Sequence, residues 1–316
     1  MKNSEVNNIP KNPTPKKKIN VKAILVYSLV GLFVVALGVS TGVILKRTFG
    51  ATDIDYTGFD PESYRMDAKE LVKQYEKNPN KNFTPAELVN IGLEKYRQCE
   101  NCYSIGIGTA STIVNQTIRN AQIKVGDHYF EESISYSKMV NVANRVDQIG
   151  EHEDISLNKG KATGSEDVTY KNEVTTFKAD DYKKAWGKTL DEMFIYIISN
   201  ETVIESESKV EKKDEQIKVT ISLDPDISTY YYKLQMKEIS NLDKLPVFQS
   251  LHHTYIFSEH MDLEYCLVDE KYQAQMGVTA SIHNIIEYYY HPNVVIEIPK
   301  ENENVDYSIE GENHYE

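Results

Sequence analysis

The longest uninterrupted apolar stretch of the chain lies near its N-terminus. Residues 23–45 (AILVYSLVGLFVVALGVSTGVIL) contain no charged side chain. Because a helix rises about 1.5 Å per residue, this stretch is long enough to cross a hydrocarbon core of about 30 Å. It is also longer than the apolar core of a cleaved signal peptide, which usually has about 7–15 residues. The pattern predicts an uncleaved transmembrane signal anchor.

Helical periodicity returns four times beyond this stretch, first over 67–74. Thr84 and Glu87 have the spacing of a capping box and flank a first-turn proline, which predicts a helix that ends near Cys99. Further helices are predicted over 178–198 and 226–239, where apolar residues recur at helical spacing.

Alternation of apolar and polar residues predicts strands in the rest of the chain. The clearest case is 217–223, whose apolar residues at every second position indicate one buried and one solvated face. Two or three strands are expected over 105–136, with a hairpin turn at 125–128, and 148–164 is expected to be a polar connection. Further strands are expected over 202–210, 251–257, 263–267, 271–275 and 278–290.

These elements predict an α+β fold: an antiparallel curved β-sheet, formed as a meander with packed helices, preceded by one transmembrane helix. Composition then divides the chain into a disordered cytoplasmic tail (1–22), the transmembrane signal anchor (23–45), a stalk (46–66), an extracytoplasmic α+β domain (67–299) and a disordered acidic tail (300–316). The domain is one sheet or two halves near 67–198 and 199–299.

The distribution of charge predicts the orientation of the anchor in the membrane. Of 35 basic and 48 acidic side chains, eight basic and one acidic precede Thr48, which leaves 27 basic and 47 acidic beyond it. The lysine excess before the anchor predicts a cytoplasmic N-terminus and an extracellular C-terminal domain, in a single-pass protein of the cell membrane. An acidic outer domain lacks the clustered Lys and Arg that bind phosphate backbones, so no nucleic-acid partner is expected.

Cys99 and Cys102 form the most conspicuous motif, because this spacing suits a disulfide, a redox pair or half of a zinc site. Zinc would need a second ligand pair, and the only other thiol is Cys266. A redox pair would stand at the start of a helix rather than after one. We therefore expect either a short-loop disulfide between Cys99 and Cys102 or two unremarkable thiols there, and a buried free thiol at Cys266.

Other residue patterns that resemble catalytic or metal sites lack their usual context. Ser135 and Lys138 fit an SxxK motif, but they end a predicted strand and have no SDN or KTG companion. His252 and His253 are neighbours on a predicted strand, so their side chains point to opposite faces and cannot chelate one metal together. The sequence predicts no enzyme, no cofactor and no metal site.

Tyrosine is abundant, with 22 residues against nine Phe and one Trp. At strand spacing, tyrosines can line a groove for an amphiphilic ligand, since each combines a flat apolar body with a polar tip. The alternative is that they form the outer rows of a half-buried sheet. The candidate groove residues are Tyr255, Phe257, Tyr265, Tyr288 and Tyr290.

The single anchor followed by an outward domain of helices and antiparallel strands resembles extracytoplasmic proteins of Gram-positive bacteria. From about Ala86 to His291, the layout and the Tyr- and Val-rich strands look like the half-barrel of the LolA/LppX lipid-carrier superfamily. This resemblance implies that acyl chains are held between the sheet and the helices. The spanning helix departs from the carrier pattern, and it would make the protein a fixed receptor or scaffold.

Three functions follow as expectations. The first is a membrane-anchored, non-enzymatic extracytoplasmic domain that binds a lipid or another envelope component in a Tyr-rich concavity of its sheet. The second is a structural or protein-partner-binding subunit of a cell-envelope complex. The third is thiol redox activity at Cys99 and Cys102.

Overall fold

An antiparallel sheet of eleven strands organises the part of the chain that the structure describes. In this computed structural model the described residues are 56–112, 114–138, 140–164, 167–213, 215–239, 242, 244–273, 278–289, 296–300 and 303–307. They belong to one compact unit. The predicted cytoplasmic tail (1–22) and anchor (23–45) lie outside the described residues. Within those residues, no helix combines the length and the apolar character needed to span a membrane.

The strands follow one another as two meanders that meet in the middle of the sheet. Their order across the sheet is β6-β5-β4-β3-β2-β1-β11-β10-β9-β8-β7, and every described pairing is antiparallel. The α+β class is therefore confirmed, and the two predicted halves share one sheet. The strands are β1 (Asn101–Ser111), β2 (Asn115–Val125), β3 (His128–Tyr136), β4 (Asn141–Ile149), β5 (Ile155–Ala162), β6 (Val168–Phe177), β7 (Lys209–Lys213), β8 (Gln216–Ser222), β9 (Val247–Ser258), β10 (Leu263–Gln273) and β11 (Thr279–Tyr289).

Four α-helices accompany the sheet in the described residues: α1 (Ala68–Lys77), α2 (Pro85–Gln98), α3 (Ala179–Trp186) and α4 (Tyr230–Ile239). The predicted capping box of α2 is confirmed in both directions. The Glu87 amide donates to Thr84 Oγ1 at 3.2 Å, and the Thr84 amide donates to Glu87 Oε2 at 2.8 Å. These two bonds satisfy amide groups that the first helical turn leaves unpaired.

The two faces of the sheet are covered by opposite ends of the described chain. We call the face that carries Tyr255 and Phe257 the helical face, because α1 and α2 pack on it. We call the other face the strap face. There, Ile105 and Phe130 pack against the C-terminal strap, defined as residues 296–300 and 303–307.

The helix predicted over 178–198 is wrong beyond Trp186. Gly187 ends α3 with a left-handed backbone (φ 86°), and a Cβ at this position would lie 2.1 Å from the Tyr231 carbonyl oxygen. The Thr189 amide still donates to Glu192 Oε2 at 2.9 Å, as in a capping box, but no helix follows and Met193 also has a left-handed φ of 58°. Close packing against α4 thus overrides the local helical signal.

Two strand predictions also need correction. The segment 148–164, expected to be a polar connection, contains β5, in which Ile155 and Leu157 are buried and alternate with polar residues. The hairpin partner expected over 202–210 begins only at Lys209, after a short 3-10 turn. The hairpin turn predicted at 125–128 is confirmed, and Gly126 there has a positive φ of 60°.

The predicted stalk and acidic tail are both wrong where the structure describes them. In the stalk, the Tyr56 hydroxyl donates to the Asp226 carbonyl at 2.9 Å, and its ring lies edge-on to Tyr230 at 4.8 Å between centroids. In the tail, Val305 and Tyr307 are only 7% and 3% exposed. Their burial in the core of the strap face keeps residues 303–307 ordered despite the acidic composition.

A buried ion pair holds the C-terminal strap to the sheet. Arg145 Nη2 on β4 lies 2.8 Å from Glu132 Oε2 on β3, and both side chains are almost fully buried. Arg145 also donates to the carbonyls of Lys300 (3.3 Å) and Glu303 (2.9 Å), and the Tyr307 hydroxyl donates to Glu132 Oε1 at 2.8 Å. The strap thus completes the hydrogen bonding that these buried charges require.

We expect Arg145→Ala to lower the free energy of unfolding by about 3–5 kcal/mol, because the Glu132 carboxylate would stay buried without its counter-charge. Chemical denaturation followed by circular dichroism measures this loss. Lys300→Ala is the matched control. Its ion pair with Glu303 (3.5 Å) is solvent-exposed, so a loss of about 1 kcal/mol or less is expected. Similar losses in the two variants would contradict the role given to Arg145.

Candidate binding site between the sheet and the helices

The structure brings together only part of the predicted groove. Tyr255 and Phe257 are buried on the helical face, at 4% and 0% exposure, and the partly buried Tyr288 packs against the same core. Tyr265 lies on the strap face, since it alternates with the buried Cys266. Tyr290 lies outside the described residues.

The groove predicted at Phe257 is filled by a helix. A Cβ added to Gly92 of α2 would lie 2.1 Å from Phe257 Cε1, so the helix backbone rests directly on the phenylalanine ring. Tyr96, one turn further along α2, meets Tyr288 edge-on at 5.0 Å between ring centroids. These tyrosine and phenylalanine side chains therefore serve as core packing, and a ligand site must be sought elsewhere on this face.

A buried polar cluster lies further along the same face. Strands β9 and β10 place His253 and Glu270 there, exposed by 0% and 3%. Glu270 Oε1 receives the Tyr196 hydroxyl and lies 3.3 Å from His253 Nε2, while His253 Nδ1 lies 3.3 Å from the Tyr255 hydroxyl. We call these four residues the Glu270 cluster.

One atom of the Glu270 cluster has no hydrogen-bond partner in the part of the chain that the structure describes. Glu270 Oε2 is buried, and no residue that the structure describes donates a hydrogen bond to it. Buried polar atoms are nearly always hydrogen-bonded, and one left unpaired costs about 1–3 kcal/mol. Such an exception points to a missing partner, in this case a hydrogen-bond donor.

Aromatic rings form the outer boundary of the cluster. Tyr196, Tyr232 and Tyr272 are each partly exposed, and we call them the tyrosine rim. The Tyr196 ring lies 4.7 Å from the His253 ring and 5.4 Å from the Tyr232 ring, between centroids. Phe248 completes the row, at 5.4 Å from Tyr232 and 5.2 Å from Tyr272. The acid thus lies beneath a surface layer of apolar rings with polar tips.

The environment keeps the rim hydroxyls protonated. Burial, followed by the nearby Glu270 carboxylate, raises the pKa of Tyr196 and Tyr232 well above their usual value, and the same two causes raise the pKa of Tyr272 to about 12. All three side chains therefore remain neutral hydrogen-bond donors at physiological pH.

The strap face carries a different kind of surface depression. A shallow cleft of about 270 Å³ is lined mainly by serine, threonine, histidine and charged residues. In it, His283 Nδ1 lies 2.7 Å from Asp269 Oδ1. His252 also lines this cleft, on the face opposite His253, which confirms the prediction that the two histidines point apart. Its polar lining does not suit an acyl chain.

The three cysteines are free thiols, so the candidate Cys99–Cys102 disulfide is not formed. Cys99 ends α2 and its thiol donates to the Lys95 carbonyl at 3.4 Å, whereas Cys102 is buried in β1. Burial raises the pKa of the Cys99 thiol, raises that of Cys102 to about 11, and raises that of Cys266 further. Cys266 is the buried free thiol that the sequence predicts.

The serine of the SxxK pattern is hydrogen-bonded within the sheet. Ser135 lies on β3, where its hydroxyl donates to Gln116 Oε1 at 2.8 Å. Within the described ranges, no group of three His, Cys, Asp or Glu side chains is arranged to hold a metal ion.

Sequence reasoning missed Glu270, Tyr196 and Tyr232. A signal for Glu270 was present, because it continues the buried positions of β10 after Cys266 and Val268. Acidic side chains are seldom buried, so a glutamate at a strand position that the alternation assigns to the core is a recognisable signal.

Comparison with known proteins assigns no family to this chain. No family model matches it. No curated protein matches it either. The resemblance to the LolA/LppX superfamily therefore remains an expectation based on layout.

We expect the folded protein to react slowly with iodoacetamide at pH 8. The thiolate is the reactive form, and a raised pKa leaves little thiolate at that pH. Labelling of Cys102 should accelerate as the pH approaches 11. Mass spectrometry of labelled peptides measures each site, and the same reaction in denaturant is the control. Rapid labelling of the folded protein at pH 8 would contradict this expectation.

We expect Gly92→Ala to destabilise the protein by about 1–3 kcal/mol, because the added methyl group overpacks the contact with Phe257. At a roomy site the same change would stabilise a helix by about 1 kcal/mol through propensity alone. The sign of the change in thermal denaturation midpoint thus reports whether α2 and β9 are in contact. A higher midpoint would indicate open space at Phe257.

Proposed function

We propose that this protein is a non-enzymatic binding domain, tethered to the outer side of the cell membrane by residues 23–45, that binds a lipid or another amphiphilic envelope component. The proposed site is the Glu270 cluster beneath the tyrosine rim. The observation that carries this proposal is the buried, unpaired Oε2 atom of Glu270.

The chemistry of the site fits an amphiphile. A donor on the polar end of the ligand would satisfy Glu270 Oε2, which has no other partner among the described residues. The apolar end would lie against the rings of the tyrosine rim, which are partly exposed and lose water on contact. A few polar groups at fixed positions in an aromatic surrounding are typical of ligand sites.

Two features favour binding over catalysis. Both ring nitrogens of His253 already face cluster members, Tyr255 and Glu270, so the imidazole is positioned as a fixed structural group. The thiols of Cys99 and Cys102 have raised pKa values, which opposes the thiolate that the redox hypothesis requires.

A second candidate function is that of a partner-binding subunit of an envelope complex. Val174 on the edge strand β6 is 56% exposed, and Val210 on the other edge, β7, is 37% exposed. Lysines at 209, 212 and 213 protect β7 against strand pairing, so β6 is the edge that a partner would occupy. Val174→Lys should then abolish co-purification of a membrane protein and leave amphiphile binding intact.

We expect purified wild-type protein to retain an amphiphile that is detectable by mass spectrometry of its solvent extract. Glu270→Gln should reduce the retained amount about tenfold, because a net loss of about 1.4 kcal/mol at the anchoring group corresponds to that factor.

Asp269→Asn is the matched control for this experiment. Asp269 is the neighbouring acid on β10, but it is exposed on the strap face. It should retain the wild-type amount. The absence of any bound amphiphile in the wild type, or equal loss in both variants, would contradict the proposed function. Thermal denaturation of both variants shows that they are folded.

A further inference from the structure

Glu270 lacks the arginine partner that two other buried glutamates have among the described residues, and this difference deepens the proposed function. Two other buried glutamates of this protein have an arginine partner: Glu94 Oε2 lies 2.7 Å from Arg97 Nε, and Glu132 Oε2 lies 2.8 Å from Arg145 Nη2. Within the described residues the only ion-pair partner of Glu270 is His253. Among those residues, its oxygen Oε2 has no hydrogen-bond partner.

The contact between His253 and Glu270 is long. His253 Nε2 lies 3.3 Å from Glu270 Oε1, longer than the 2.7–2.9 Å or so that is usual for charge-assisted hydrogen bonds. The other ring nitrogen faces the Tyr255 hydroxyl at the same distance. Both histidine contacts therefore leave Oε2, the second carboxylate oxygen, open to a further group.

The three tyrosines of the rim are close enough to the Glu270 carboxyl group for it to raise the pKa of each. Tyr196 comes from the segment after α3, Tyr232 from α4 and Tyr272 from β10. The faces of such rings carry negative electrostatic potential, which attracts a cation and does not attract an anion. This attraction is strongest for a cation that has lost its water shell.

From these observations we infer that the amphiphile bound at the Glu270 cluster has a cationic polar end, either a protonated amine or a quaternary ammonium group. This inference rests on the proposed function. A protonated amine would donate to Oε2, and a quaternary ammonium group would pair with the carboxylate by charge alone. Either would supply to Glu270 the positive charge that Arg97 supplies to Glu94 and Arg145 supplies to Glu132. A neutral hydroxyl would satisfy the hydrogen bond without the ring attraction, and an anionic group would be repelled.

Three probes with the same dodecyl chain separate these possibilities: dodecyltrimethylammonium, dodecyl maltoside and dodecyl sulfate. Binding to the full-length protein in neutral-lipid nanodiscs is measured by isothermal titration calorimetry, below the concentration at which each probe forms micelles. We expect the cationic probe to bind at least about tenfold more tightly than the other two. In Glu270→Gln this preference should disappear, while Asp269→Asn should keep it within about twofold.

The outcomes separate this inference from the proposed function. Equal affinity of the three probes, lost in Glu270→Gln, would overturn the cationic end and leave the amphiphile site in place. Binding of no probe above the level of empty nanodiscs would overturn both. A cationic preference that survives in Glu270→Gln would also overturn the inference, because it would report attraction to the acidic surface as a whole. Loss of that preference at raised salt would identify this last case.

Discussion

The pairing of β1 with β11 is the constraint on which the rest of the structure depends. It joins strands that lie far apart in the chain, with Ile105 opposite Glu287 and Gly106 opposite Ile286. Without it, each meander would end in an unpaired strand at the centre of the fold. With it, one register runs from β1 through β11 and β10 into residues 250–256 of β9, so the side-chain parity of β1 determines which residues of these strands reach the helical face.

This shared register allows the two ends of the described chain to cover opposite faces. α1 and α2 come before β1 in the sequence and lie on the helical face, while the C-terminal strap follows β11 and lies on the strap face. Hydrogen bonds also hold each of these two segments in place. Asn90 of α2 donates to the Ile198 carbonyl at 2.8 Å, and the strap carbonyls accept from Arg145. The buried polar groups therefore fix where each segment docks, while the apolar contacts supply most of the driving force.

Local signals in the sequence were reliable where no contact between distant residues opposed them. The capping box at Thr84 and Glu87 needs only neighbouring residues, and the alternation over 217–223 is a direct record of burial. The helix predicted over 178–198 failed because Gly187 meets the backbone of α4, a contact between residues that are far apart in the chain. The prediction that residues 303–307 are disordered was wrong for a similar reason. Two apolar side chains in an acidic segment carry no periodicity, although they complete the core of the strap face.

The candidate site shows the same division. Tyr255 was predicted because it lies in a regular strand, and Glu270 was predictable from its parity in β10. Tyr196 was not, because the sequence pattern predicts a helix where the chain after α3 is irregular, so the pattern gives no correct direction for its side chain. Yet Tyr196 supplies the hydroxyl that contacts Glu270. If α3 continued as a helix beyond Gly187, Tyr196 would lie at a different position. The irregular backbone after Gly187 therefore helps to form the site. Gly187, which ends α3 and makes the helix prediction wrong, therefore also allows Tyr196 to join the Glu270 cluster.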